Sequence, residues 1–209
     1  MRFPVGIASV TFTDASMERR AERARDLGFD FIDVPDDVDP ASLALPVGCT
    51  VVMTPRPGWC WSPALPEGPG RWEKNVARFR AAPGAMVEPY AKATVNSREK
   101  IVALQAEIPG IRFLIDTGHV ADWGEDPVDL VEFADHIQLR QGAPGRAQLH
   151  VDDPDGVVDF AAVLARLDAL DYQGGLAVEY FDLPEHGWPL EDPIGWSVDL
   201  AAHVRSLMD

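Results

Sequence analysis

Three short apolar runs end on a carboxylate: Ala85-Met86-Val87-Glu88, Phe113-Leu114-Ile115-Asp116 and Leu176-Ala177-Val178-Glu179. A fourth, His136-Ile137-Gln138-Leu139-Arg140, brings an amide and a guanidinium to the comparable point. A buried strand has no use for an acid at its exit unless something there pairs with it. Polar groups gathered at several strand ends are how barrels and doubly wound sheets assemble a site. Successive positions among Glu88, Asp116, Gln138 and Glu179 lie 28, 22 and 41 residues apart. A (β/α)₈ barrel of roughly 250 residues uses about 31 per strand–helix unit. The chemistry suggested is that of a metal-dependent enzyme: acids that hold a cation or move a proton.

Asp116-Thr117-Gly118-His119 follows one of these runs and precedes a helical pattern, so its polar groups fall where the chain turns over the sheet edge. Asp-x-Gly is also ordinary turn chemistry. His136, Gln138 and Arg140 alternate on one face of their strand, which in a barrel is the interior. Each can serve substrate or satisfy a core polar need. Arg140, or Arg146 in the following loop, can hold a substrate oxygen or neutralise the carboxylates.

The elements that must position these groups alternate strand with helix. Strands are read at Val5–Thr11, Phe29–Val34, Cys49–Met53, Ala85–Glu88, Ile111–Asp116, His136–Arg140 and Leu176–Tyr180. Helices are read after a cap at Asp14 or Ser16, and at Trp72–Ala81, Ser97–Ala106, Pro127–Ala134, Val158–Leu170 and Pro193–Leu207. That rhythm predicts a parallel sheet with right-handed crossovers. Between Pro35 and Pro83 prolines repeatedly break the pattern. The Trp59-Cys60-Trp61 loop there reads either as a lid over a gap in the wall or as an apolar cover for a ligand.

With Gly156-Val157-Val158-Asp159-Phe160 and Tyr172-Gln173-Gly174-Gly175-Leu176-Ala177-Val178-Glu179, the order becomes specific. From about Met86 to Tyr180 the chain resembles the xylose isomerase-like TIM-barrel superfamily, the sugar phosphate isomerase/epimerase group. The shared order is a strand ending Asp-Thr-Gly-His, a strand of the His-x-His-Leu type, a Gly-x-x-Asp-Phe helix start and a Gly-x-x-x-x-Glu strand. The implied fold is an α/β TIM (β/α) barrel with one strand–helix unit reduced or missing, formed as one domain over residues 1–209.

The resemblance implies a divalent ion held by Glu88, Asp116, residue 138 and Glu179. Gln138 stands where the family usually has His. Three carboxylates and an amide make an all-oxygen set that suits Mn²⁺ or Mg²⁺ better than Zn²⁺, with Co²⁺ or Zn²⁺ as lesser options. It further implies that Glu88 and Glu179 act as base and acid beside a carbonyl, that His119 binds a substrate hydroxyl, and that Arg140 or Arg146 fixes a remote oxygen. His136, Trp59 and Trp61 complete the candidate substrate contacts. The activity implied is a sugar, keto-sugar or cyclitol isomerase or epimerase working through an enediolate. A lyase on the same scaffold and a metal-free binding descendant are the alternatives.

Composition bounds this reading. Thirty-four acids against 18 Lys and Arg give a net charge of −16, which disfavours nucleic acid and anionic membrane as partners. Cys49 and Cys60 lack metal-site spacing and read as reduced thiols. No signal-peptide core and no run near 20 apolar residues is present, so a cytoplasmic location is expected. A reduced barrel would leave apolar strand edges, so a homodimer or a closing loop at 59–69 is also expected.

Overall fold

Eight parallel strands close into a barrel in the computed structural model, which describes residues 3–13, 16–184 and 188–209. The strands are β1 (Val5–Ala8), β2 (Ile32–Pro35), β3 (Val47–Val51), β4 (Trp61–Pro63), β5 (Met86–Glu88), β6 (Arg112–Asp116), β7 (Ala134–Leu139) and, last in the chain, β10 (Leu176–Val178). Their spatial order is β1-β10-β7-β6-β5-β4-β3-β2. Between β7 and β10 the chain makes an antiparallel hairpin of β8 (Gln141–Ala143) and β9 (Arg146–Leu149). Helices α1 (Met17–Asp26), α2 (Arg71–Arg80), α3 (Arg98–Glu107), α4 (Thr117–Trp123), α5 (Pro127–Leu130), α6 (Phe160–Ala169) and α7 (Pro193–Met208) supply the outer layer.

The strands are short and apolar because both faces are covered. Outward residues such as Val5, Val87, Phe113, Ile137 and Val178 join the main core beneath the helices, while Cys49, Trp61, Met86 and Leu114 pack as a separate buried layer inside the barrel. Side chains two residues further along β5 and β6 share the inward face with that layer. Those side chains are Glu88 and Asp116.

Helix starts follow local capping. Ser97 Oγ accepts from Lys100 N, Asp159 Oδ1 from Ala162 N, and Asp192 Oδ1 from Gly195 N with Pro193 in the first turn. Of the two expected caps for α1, Ser16 occupies the N-cap position without a side-chain bond to a helix N–H, and Asp14 lies outside the described residues.

One strand was invisible to pattern reading. The barrel has eight strands where seven are read from sequence, because part of the expected Trp59–Trp61 loop is β4. Trp61 pairs with Val51 on one side and Met86 on the other, and Pro63 pairs with Glu88. Three residues ending on proline carry neither alternation nor β-branched content. The reduction expected of one strand–helix unit falls instead on the helical layer. A single 3₁₀ turn (Pro40–Ser42) links β2 to β3, and no α-helix links β3 to β4 among the described residues. Also among these residues, no helix is long and apolar enough to cross a membrane.

Candidate active site

The Asp-Thr-Gly-His turn is built around residue 140. Asp116 caps α4, its Oδ1 accepting from His119 N at 3.0 Å. Thr117 Oγ1 donates to the Arg140 carbonyl at 2.7 Å and accepts from Arg140 N at 2.9 Å. Gly118 has no space for a side chain: a Cβ there would lie 2.2 Å from the Ala147 carbonyl oxygen and 2.8 Å from Arg140 Cβ. Asp116, Thr117 and Gly118 therefore hold the β7 exit and its hairpin against α4, and His119 lines the cavity above.

Arg140 is fully buried. Its Nε and Nη2 both donate to Asp116 Oδ2, at 2.9 and 2.6 Å, and Nη2 lies 3.4 Å from Glu179 Oε2. The guanidinium sits over the Phe181 ring at 4.9 Å. Burial works against its charge, but Asp116 and Glu179 outweigh that and hold its pKa above the ordinary value. On the other side of Glu179, Gln138 Nε2 donates to Oε1 at 3.1 Å. Register explains the meeting: Gln138 lies opposite Asp116 on β6 and opposite Ala177, two residues before Glu179, on the last strand.

Three carboxylates share this one guanidinium. Burial pushes Glu179 up to about 7 against the opposing pull of Arg140. Glu88 is raised well above the ordinary carboxylate range by burial and by the charges of Glu179 and Asp116. Its Oε1 lies 3.7 Å from His119 Nε2, too far for a hydrogen bond. Burial and the Arg140 charge hold His119 down at about 3, so its imidazole is neutral. The site thus holds a proton-carrying acid, a poised carboxylate and a neutral imidazole together, the environment-tuned arrangement that acid–base chemistry requires.

A cavity of about 470 Å³ opens over these groups. Glu88, His119, Gln138, Glu179 and Trp61 line it, with Asp33, Tyr90, Phe181 and Trp188. Asp116 and Arg140 lie behind that wall. The remaining sequence candidates are elsewhere. His136 Nε2 pairs with Asp33 Oδ2 at 2.7 Å and does not line the cavity. Trp59 is 47% exposed, donates Nε1 to the Gly48 carbonyl and stacks on Arg112, a residue at the start of β6. Arg146 pairs with Asp155 at 2.8 Å and lines a neighbouring cleft.

Of the wall residues absent from the sequence reading, Tyr90 and Phe181 stand two positions beyond Glu88 and Glu179, so simple alternation pointed to them. Asp33 was visible as an acid within an apolar strand. Nothing in the spacing marks Trp188.

A family model described as xylose isomerase-like TIM barrel matches residues 42–205. The chain belongs to that family. Among solved structures, this xylose isomerase-like barrel is similar to an L-ribulose 3-epimerase, with 16% identity and a TM-score of 0.72, covering 98% of this chain and 95% of the other. It is also similar to the apo form of 3-keto-D-glucoside 4-epimerase from E. coli, at 14% identity and TM-score 0.73, covering 98% and 100%. D-psicose 3-epimerase from Clostridium cellulolyticum H10 gives 11% identity and TM-score 0.69, covering 99% of each chain. At these identities the likeness is one of fold. No curated protein sequence matches the chain.

The site chemistry of this family member fits a cation. Glu88, Asp116 and His119 each bring one ligand-type atom to within 4.8 Å of the others. Among the described residues, Gln138 Oε1 is a buried acceptor with no donor, the group an amide ligand would use. The negative charge of Glu88, Asp116 and Glu179 is in surplus over the Arg140 guanidinium. Asp116 alone is heavily committed, giving Oδ2 to Arg140 and Oδ1 to the α4 backbone, so a cation there would share it with the arginine.

Proposed function

We propose that this protein is an isomerase or epimerase of a sugar, keto-sugar or cyclitol, moving a proton at the carbon beside a carbonyl. The observation that carries this is the pair Glu88 and Glu179, two buried acids raised in pKa on the wall of one cavity. One acts as the base that takes the proton. The other, still protonated, returns a proton to the same carbon from the opposite face, giving epimerisation, or to the neighbouring carbon, giving isomerisation. His119, neutral and with Nδ1 unpartnered, donates to a substrate oxygen as charge develops there. Gln138 Oε1 accepts from a hydroxyl or ligates the ion. Arg140 keeps Asp116 and Glu179 in place and partly neutralised.

Glu88, Asp116, Gln138 and Glu179 would hold a divalent ion, Mn²⁺ or Mg²⁺ by the hardness of an all-oxygen set. Such an ion would supply Lewis-acid stabilisation of negative charge on the substrate oxygens. The similar structures are of epimerases, which supports the same reaction class.

The test is a panel of ketoses and keto-glycosides incubated with purified protein plus Mn²⁺ or Mg²⁺ and followed by NMR. Interconversion of at least one epimer or isomer pair, lost in Glu179→Gln, is expected. Folded protein that converts none of the panel would overturn the proposal, as would undiminished turnover in Glu179→Gln. In parallel, saturating metal at about 100 times its dissociation constant should stabilise the fold by about 2.7 kcal/mol, read as a rise in Tm that Glu88→Gln diminishes.

A further inference from the structure

A second cleft, of about 930 Å³, adjoins the cavity that holds the acids. The two share Tyr90, His119 and Trp188 as a common wall. Beyond that wall the cleft is lined by Trp123 and Trp196, with Ala91, Asn96 and Lys92. Of the chain's six tryptophans, four line one or other of these two spaces. Flat rings interspersed with amide and charged groups suit a ligand with an apolar face and a polar rim. The proton transfer itself uses only the inner cavity, so the outer cleft has no role in it.

Arg146 is paired with Asp155 at 2.8 Å. Lys92 lies close enough to Asp122 to pull its pKa down against the effect of burial. Arg146 is therefore engaged, and the net charge of −16 repels anions at long range. The occupant that fits is neutral and ring-shaped.

We propose that the outer cleft is a subsite for the second ring of a two-ring substrate: the protein acts on a glycoside, with the reacting sugar beside Glu88 and Glu179 and the attached neutral sugar or aromatic ring among Trp123, Trp188 and Trp196. This inference rests on the isomerase or epimerase reading for the inner cavity, but the cleft can be tested without turnover. Binding of D-glucose, methyl glucoside and p-nitrophenyl glucoside is measured by titration calorimetry and by NMR of the ligands. At least tenfold tighter binding of the p-nitrophenyl glucoside than of glucose is expected. Ala91→Trp, which places a large ring in the outer cleft, should erase most of that tenfold advantage. A crystal of the unmodified protein soaked with p-nitrophenyl glucoside, showing the aryl ring against Trp188 and Trp196, supports the subsite independently of whether the variant folds. Equal affinity for glucose and its glycosides would overturn the subsite, as would an aryl ring located elsewhere. Tight glycoside binding without conversion of any panel sugar would support the subsite while refuting the reaction assigned to the inner cavity.

Discussion

Two groups of polar side chains are buried inside the same barrel, and they differ in how far their hydrogen bonding is met. In the first, Asp33 gives Oδ2 to His136 Nε2 at 2.7 Å and Oδ1 to Cys49 N at 2.8 Å, so both oxygens are used. In the second, three acids compete for Arg140, Gln138 Oε1 and His119 Nδ1 have no partner among the described residues, and Glu88 stands off from His119. The first is a polar pair that holds three strands together. The second keeps hydrogen-bonding capacity in reserve at the cavity wall. Buried polar groups are nearly always satisfied in folded proteins, and here unmet ones, Gln138 Oε1 and His119 Nδ1, stand beside the raised acids Glu88 and Glu179 on one cavity wall.

Substitution should separate the groups most sharply in turnover. Glu88→Gln and Glu179→Gln should each lower kcat by about 10²–10⁴, the usual worth of a positioned acid or base, while circular dichroism and Tm stay near those of the parent. Asp33→Asn should change kcat by only a few fold. Equal losses from Asp33→Asn and Glu179→Gln would erase the distinction.

Stability should rank the groups by the charge left behind. Asp116→Ala removes the main partner of a fully buried guanidinium and should cost about 3–5 kcal/mol. That is a fall in Tm of about 6–20 °C for a chain of this size. Asp33→Ala leaves the His136 Nε2 without its partner and should cost about 1–3 kcal/mol. Denaturant melts of both variants test the order.

The pH response sharpens the same contrast. His119 is held at about 3 in the fold against an ordinary 6.5. Between those values the unfolded chain takes up a proton that the folded chain refuses, so stability rises with pH across the window and is complete above it. His119→Gln should therefore lose less stability than the parent between pH 6.5 and 4. A parallel fall in both proteins would mean that the imidazole is not kept neutral.

The smallest effects concern the two tryptophans of one tripeptide. Trp61 lines the cavity with a buried Nε1 that has no partner, whereas the Trp59 Nε1 is bonded to Gly48 away from it. Trp61→Phe should raise KM about fivefold, the worth of one hydrogen bond. Trp59→Phe should leave KM within twofold.

Much of this was legible in the sequence because the strand-end acids fall where apolar runs stop, and a parallel barrel makes such positions converge. Glu88, Gln138 and Glu179 line one cavity, with Asp116 directly behind it. What escaped was short or long-range. Strand β4 is three residues beside prolines, and only its neighbours β3 and β5 define it. His136 and Trp59 have the right residue types, but His136 lies one inward layer too early along its strand and Trp59 reaches back to the start of β3. Arg140 was visible as a cation. Its neutralising of the carboxylates was one of the two roles open to it, and it pairs with Asp116 and Glu179; the Thr117 and Gly118 contacts that fix it were not visible, because they cross 22 or more residues of chain.

The central claim, that Glu88 and Glu179 exchange a proton with carbon, is tested most directly by isotope exchange. Protein loaded with Mn²⁺ is incubated in D₂O with the keto-sugar that the panel identifies, and deuterium at the carbon beside the carbonyl is followed by NMR. The account predicts incorporation of one deuterium at that carbon with the parent protein and at least a hundredfold slower incorporation with Glu179→Gln. Product formed without deuterium, or incorporation at the parent rate in Glu179→Gln, would contradict it.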